Sequence, residues 1–265
     1  MGRKDVSYNI DNDRVSSYKT RESQRRKDRR ISNLLLVLAV LCMLVAIFFL
    51  LIDPIKNKMR EDAVEDVVSE MEQQIMVPDV TEFTFVVPKN ANKINGEDYD
   101  VYGGDEIEKQ ARIAEMEAAF EDLPDEVTLT GLGIIEIDSI GCKDPVWDND
   151  TVIDLRYGIG HHRTSVLPGQ DGNCCLLGHH MRKEGVFFNK LIDVKIGDTV
   201  KITTVDGTEY IYIVDKTIVI DPSELENYVD ADDGTGKQIT LVSCTYTDAG
   251  TMRILVIGHI LEGED

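Results

Sequence analysis

The sequence predicts a mainly β fold, a closed or nearly closed antiparallel barrel of short strands with short helices, preceded by a transmembrane helix and a helical stalk. From Thr128 to Ile260, apolar runs of strand length are separated by turn-forming residues. Tight turn signals such as Asp206-Gly207 return each strand onto a neighbour, and closing the sheet leaves fewest bare edges. Ahead of these strands lie 19 consecutive apolar residues, Leu34 to Ile52. That length crosses roughly 30 Å of hydrocarbon as a helix.

Residues 1–33 carry ten Lys/Arg against five Asp/Glu, and the remainder carries 18 against 44, a net charge of −26. The acidic part should repel nucleic acid and anionic headgroups, so no nucleic-acid partner is expected; cationic partners or calcium suit it better. Arg25, Arg26, Lys27, Arg29 and Arg30 precede the apolar run and Asp53 follows it. The positive-inside rule then makes 1–33 a cytoplasmic tail and 34–52 a membrane span, with everything from Asp53 outside. An uncleaved anchor is favoured over a signal peptide, because the run is long for an h-region and no small-residue cleavage site follows. With no second span near the C-terminus, the expected topology is single-pass.

Residues 53–127 read as an extracellular helical stalk or spacer. Ile55, Met59, Ala63, Val67, Met71 and Ile75 recur every four residues, which predicts an amphipathic helix. Pro78 to Gly104 mixes short apolar runs with Asn, Gly and Pro, and Asp105 to Glu121 returns to a helical pattern. Residues 128–265 form the barrel, with strands expected at Leu132–Ile137, Asn173–Leu177, Thr199–Thr204, Glu209–Val219, Gln238–Cys244 and Met252–Ile260.

Cys142, Cys174, Cys175 and Cys244 are too few and too unevenly spaced for a disulfide framework. Cys174 and Cys175, adjacent in a strand, should point to opposite faces as small buried hydrophobes. Cys244 ends its expected strand before the polar stretch Thr245 to Thr251, where a thiol stays approachable, and this marks it as a candidate nucleophile. Arg253 follows in the apolar run Met252 to Ile257, on the face of Leu255 and Ile257; its planar fork can hold a carbonyl and a developing oxyanion together, the alternative being an edge-strand arginine that blunts aggregation. The histidines pair as His161-His162 and His179-His180, and only one of each pair can face a common site. His179 is a credible proton donor to a leaving amine. Zinc ligation by these histidines with Cys174 and Cys175 fits neither spacing nor geometry, so no metal site is expected. His259 reads as structural or exposed.

The anchor, Leu176-Leu177-Gly178-His179, Thr240-Leu241-Val242-Ser243-Cys244 and the following Arg253 together resemble the sortases of Gram-positive bacteria. Ile134 to Ile137 followed by Asp144-Pro145-Val146-Trp147, Gly158-Ile159-Gly160-His161, Leu167-Pro168-Gly169, Gly172-Asn173, Phe187 to Leu191 and Ile196-Gly197-Asp198 extend the resemblance over about Leu132 to Ile260. Ser243 stands where many relatives carry Thr, keeping a hydroxyl, and His161 matches a histidine seen in some subfamilies, so it is expected to line the cleft. The resemblance implies an eight-stranded barrel with a catalytic triad of His179, Cys244 and Arg253 and no cofactor. It further implies a thiol transpeptidase that cleaves an LPxTG-like sorting signal through a thioacyl intermediate. The acyl group then passes to an amine of a cell-wall precursor or a pilin lysine, so LPxTG-type surface proteins are the expected substrates. Asp144 to Trp147 follows the first strand and reads as barrel rather than lid. That reading, with no C-terminal span, places the chain nearer the class A, D or E type than the pilin-polymerising class C. A cysteine hydrolase and a non-enzymatic extracellular binding module are the other classes the residues allow.

Overall fold

A computed structural model describes residues 4–77, 82–89, 120–180, 187–229, 236–247 and 250–260, with isolated helical positions at 107, 110, 111, 114 and 118. The chain divides into two compact units, Met1–Lys56 and Asn57–Asp265. In the first, the stretch Arg25–Phe48 is helical and long and apolar enough to cross a membrane. The described apolar side chains from Leu34 to Leu51 are exposed.

The second unit is mainly β with short helices. Its strands are β1 (Phe83–Pro88), β2 (Glu126–Ile137), β3 (Cys142–Trp147), β4 (Ile159–His161), β5 (Gly172–Leu177), β6 (Thr199–Thr204), β7 (Glu209–Ile220), β8 (Lys237–Thr247) and β9 (Gly250–His259). They form one sheet in the order β1-β2-β3-β4-β5-β8-β9-β7-β6, and β6 pairs in addition with β2. β2 pairs with β3 along residues 131–137, with a register shift between Gly131 and Gly133, and with β6 along residues 133–136. A Cβ at Gly133 would lie 2.2 Å from the Thr203 carbonyl oxygen, so only glycine allows this approach.

The expectation of a purely antiparallel sheet needs correction, since β3 pairs with β4 and β5 with β8 in parallel. Parallel neighbours need crossover connections, and the helix Asp154–Tyr157 lies in the first of these. Two further differences come from short segments. Phe83–Pro88, within the expected spacer, is a strand paired with β2, because its aromatic and β-branched residues suit a pleated surface. β8 continues three residues past Cys244 to Thr247, so Thr245 to Thr247 is strand and not loop. In the helix Lys4–Ile75, Val67 and Met71 of the expected stripe are buried, with Val64 and Val68, in the same core cluster as Phe83 and Val87 of β1. The described positions from 107 to 121 are helical as expected, whereas Ile113, Met116 and most of Pro78 to Gly104 lie outside the described residues.

Two apolar clusters divide the sheet by face. Ile135, Ile137, Trp147, Cys174, Leu176, Leu241 and Val256 belong to the larger; Cys175, Leu177, Val242 and Leu255 belong to the smaller, with Leu155, Ile220, Leu225 and Val229. Cys174 and Cys175 therefore pack on opposite faces, as strand alternation requires.

Candidate active site

Leu177 of β5 lies opposite Val242 of β8, and Val242 opposite Leu255 of β9, making one row across three strands that the smaller cluster covers. Two residues along each strand the side chains return to the same face. On β8 and β9 that next row is Cys244 opposite Arg253. Such cross-strand partners have Cβ atoms about 4.5–5.5 Å apart. Just past the end of β5, two residues beyond Leu177, the chain reaches His179. The backbone there is held by two bonds to β8: Gly178 N–H donates to the Val242 carbonyl at 3.0 Å, and the Ser243 hydroxyl donates to the Gly178 carbonyl at 2.9 Å. Glycine is needed at 178 because a Cβ would come within 2.6 Å of Ile159 and Phe188 side-chain carbons.

Arg253 is 2% exposed and His179 6%, while Cys244 is half-buried. Arg253 is thus desolvated on the cluster-covered face and not an edge-strand arginine; its Nη1 donates to the Met252 carbonyl at 3.2 Å. Its row also includes Ile220 at the end of β7. The neighbouring Asp221 is held below the usual carboxylate range by the Ser223 hydroxyl and backbone N–H, with a contribution from the Arg253 charge. Burial pushes the Cys142 and Cys174 thiols up, which keeps them protonated, and Cys175 is buried too. Of the sheet's described cysteines, only Cys244 is open to a reactant.

The remaining histidines are placed elsewhere. His161 pairs with Leu176 and so faces the larger cluster, with Nε2 3.0 Å from the Val166 carbonyl and 3.1 Å from the Ser165 hydroxyl. It lies on the sheet face opposite Cys244, which corrects the expectation that it lines the cleft. His162 Nδ1 is 3.0 Å from the Thr164 hydroxyl, and its Nε2 is 3.8 Å from Asp150. His180 bridges to Phe187, and burial lowers its pKa. His259 Nδ1 contacts Asp215. Among the described residues no group of three or more His, Cys, Asp or Glu side chains converges on a metal position.

Sequence reasoning passed over a buried relay that holds the cover of the site face. Asn173 Nδ2 donates to the Tyr228 and Val229 carbonyls at 2.9 Å each, which fixes the helix Glu226–Val229. Its Oδ1 accepts from the Thr240 hydroxyl at 2.8 Å, and Gln238 Nε2 donates to that hydroxyl at 3.1 Å. Arg156, 1% exposed, stacks 4.4 Å from the Phe120 ring centroid and donates to the Lys89 carbonyl at 3.0 Å, tying the segment after β1 to the helix Asp154–Tyr157. Polar residues spaced tens of positions apart leave no periodic trace, so neither arrangement was visible beforehand.

A Sortase domain family model matches residues 135–261. Sortase A of Listeria monocytogenes is 30% identical over 136 residues, covering 50% of this chain and 58% of that protein. Sortase A of Bacillus anthracis is 30% identical over 131 residues, covering 49% and 60%. The chain spans about three fifths of the length of these two relatives. It spans 86% of the Bacillus subtilis protein YwpE, named among the sortases, at 30% identity over 92 residues. A solved structure of Streptococcus agalactiae sortase C1 is similar at 29% identity and a TM-score of 0.44, covering 50% of this chain and 68% of that one. From the domain match and the likeness to relatives such as YwpE, which it covers almost entirely, the chain belongs to the sortase family.

Proposed function

We propose that this chain is a membrane-anchored sortase, a cysteine transpeptidase that cuts an LPxTG-like sorting signal and joins it to an amine. The observation that carries this reading is the row formed by Cys244 and Arg253, beside the exit of β5 that leads into His179. The Cys244 thiolate attacks the carbonyl carbon at the scissile bond, forming a C–S bond as the oxygen takes the charge. Arg253 donates to that oxygen and to a neighbouring substrate carbonyl from a dry position, where such donors act most strongly. His179 passes its proton to the departing amine as the C–N bond breaks, leaving a thioester on Cys244. The acceptor amine then attacks the thioester and yields its proton to His179, and the C–S bond breaks to release Cys244 as thiolate. Thioester formation keeps the acyl group activated until the amine arrives.

In this reading the β6–β2 pairing closes an eight-stranded barrel, with β1 outside it. The apolar helical stretch anchors the chain in the cell membrane in a single pass, the basic tail lies in the cytoplasm, and the domain acts at the cell surface. Substrates are LPxTG-type surface proteins, the acceptor is a cell-wall precursor amine, and the class is of the A, D or E type. The test incubates the full chain with an LPxTG-type peptide and an amine such as triglycine. Ligated product is expected; hydrolysed peptide alone would make the chain a hydrolase, and no conversion together with an inert Cys244 would make it a binding module.

A further inference from the structure

We infer that Ser243 is a positioning residue, whose hydroxyl sets the place of His179 relative to Cys244; the inference rests on the roles just proposed for those two residues. The register pairs of β5 and β8 end at Leu177 and Val242, one residue short of Gly178 and two short of His179. His179 therefore leaves the last rung through a glycine, the residue with the widest backbone freedom. That glycine cannot be replaced by a stiffer residue, because Ile159 and Phe188 fill the space a Cβ would need.

Two hydrogen bonds remove the freedom. Gly178 N–H, part of the Leu177–Gly178 peptide plane, donates to the Val242 carbonyl at 3.0 Å. The Gly178 carbonyl belongs to the next plane, which also contains the His179 nitrogen, and it accepts from the Ser243 hydroxyl at 2.9 Å. The second bond orients the peptide from which His179 departs. Its donor is the residue immediately before Cys244, so one hydroxyl connects the chain neighbour of the imidazole to the chain neighbour of the thiol. Ser243 is 2% exposed, which leaves water no easy way to take over the bond. By alternation its side chain faces away from Cys244, so it acts through the backbone and does not touch substrate.

The test compares wild-type full chain with Ser243→Ala, Ser243→Thr, Ser243→Val and His179→Ala. It reads kcat and KM for peptide ligation, the pH profile of iodoacetamide labelling at Cys244 mapped by peptide mass, and thermal unfolding. Ser243→Ala is expected to lower kcat about tenfold with KM within about twofold, and to move the Cys244 labelling profile toward that of His179→Ala. Ser243→Thr restores both readouts, whereas Ser243→Val, equal in shape but without the hydroxyl, does not. Wild-type kcat and labelling in Ser243→Ala or Ser243→Val overturn the inference while leaving the proposed function standing, provided His179→Ala is inactive. If both hydroxyl-free variants unfold and Ser243→Thr does not, the bond is structural and the inference is again overturned. If His179→Ala keeps wild-type turnover and labelling, the inference and the proposed pairing fall together.

Discussion

Replacing Arg253 by lysine separates charge from geometry. Arg253 is 2% exposed, directly opposite Cys244, and already has Nη1 on the Met252 carbonyl. A guanidinium can keep that backbone bond and still direct its other N–H groups at a substrate oxygen. Lysine retains the cation but offers a single nitrogen, which cannot serve both places. The cost to the fold is about 1 kcal/mol for the weakened bond to Met252, small against the stability of an ordinary domain. The cost in the transition state is that of losing one preorganised donor, about 2.7–4 kcal/mol or roughly 10²–10³ in rate. The assay is single-turnover acylation with an LPxTG-type peptide, quenched in acid and read by intact mass, alongside labelling of Cys244 by iodoacetamide. Acylation should fall by that factor while labelling changes only a few-fold. Acylation of Arg253→Lys within threefold of wild type would refute the role given to the fork.

Four other perturbations have defined outcomes. Cys244→Ala should abolish ligation and leave the thermal midpoint within a few degrees of wild type, since a half-buried thiol adds little to the core; residual turnover would remove Cys244 from the mechanism. His180→Ala should keep ligation within about threefold while His179→Ala loses at least about 10²-fold, and the reverse result in the same assay would exchange their roles. Burial raises the Asp144 carboxyl from 3.8 to about 6 even though the Cys142 thiol and the Phe187 backbone N–H donate to it. The native state therefore binds this proton more tightly than the unfolded chain, so stability falls by about 3 kcal/mol as pH rises from about 4 through about 6. Asp144→Asn should flatten that slope in urea melts between pH 4.5 and 7.5, the part owed to Asp154, also raised by burial to about 6, being common to both proteins; an unchanged slope would contradict the assignment. Asn173→Ala removes two donors from the Tyr228 and Val229 carbonyls and should raise KM for the peptide with a smaller change in kcat, measured by steady-state ligation.

Legibility in the sequence followed how local each cause was. Thr199–Thr204 was found residue for residue, because alternation and the Asp206-Gly207 turn specify it within a few positions. Cys174 to Leu177 was recognisable as a strand, but its partner was not: an unbroken apolar run records two covered faces and is silent about which parallel neighbour covers them. Cys244 was read as a strand end because Thr245, Tyr246 and Thr247 are polar, although threonine and tyrosine favour strands. The correct identity of the face survived that error, since Cys244 and Val242 share it wherever the strand stops. His161 was drawn toward the cleft by its resemblance to relatives, and strand parity against Leu176 moved it to the other side of the sheet. The contact between Ser243 and Gly178 spans 65 positions, and only the folded backbone could bring it into view.

The most direct test is to trap and map the covalent intermediate on the full chain. Incubation with an LPxTG-type peptide and no added amine, followed by acid quench and peptide mass mapping, should find the acyl fragment as a thioester on Cys244, and that label should vanish when triglycine is added as ligated product appears. An acyl group on another residue, or efficient ligation without any acylated Cys244, would contradict the account.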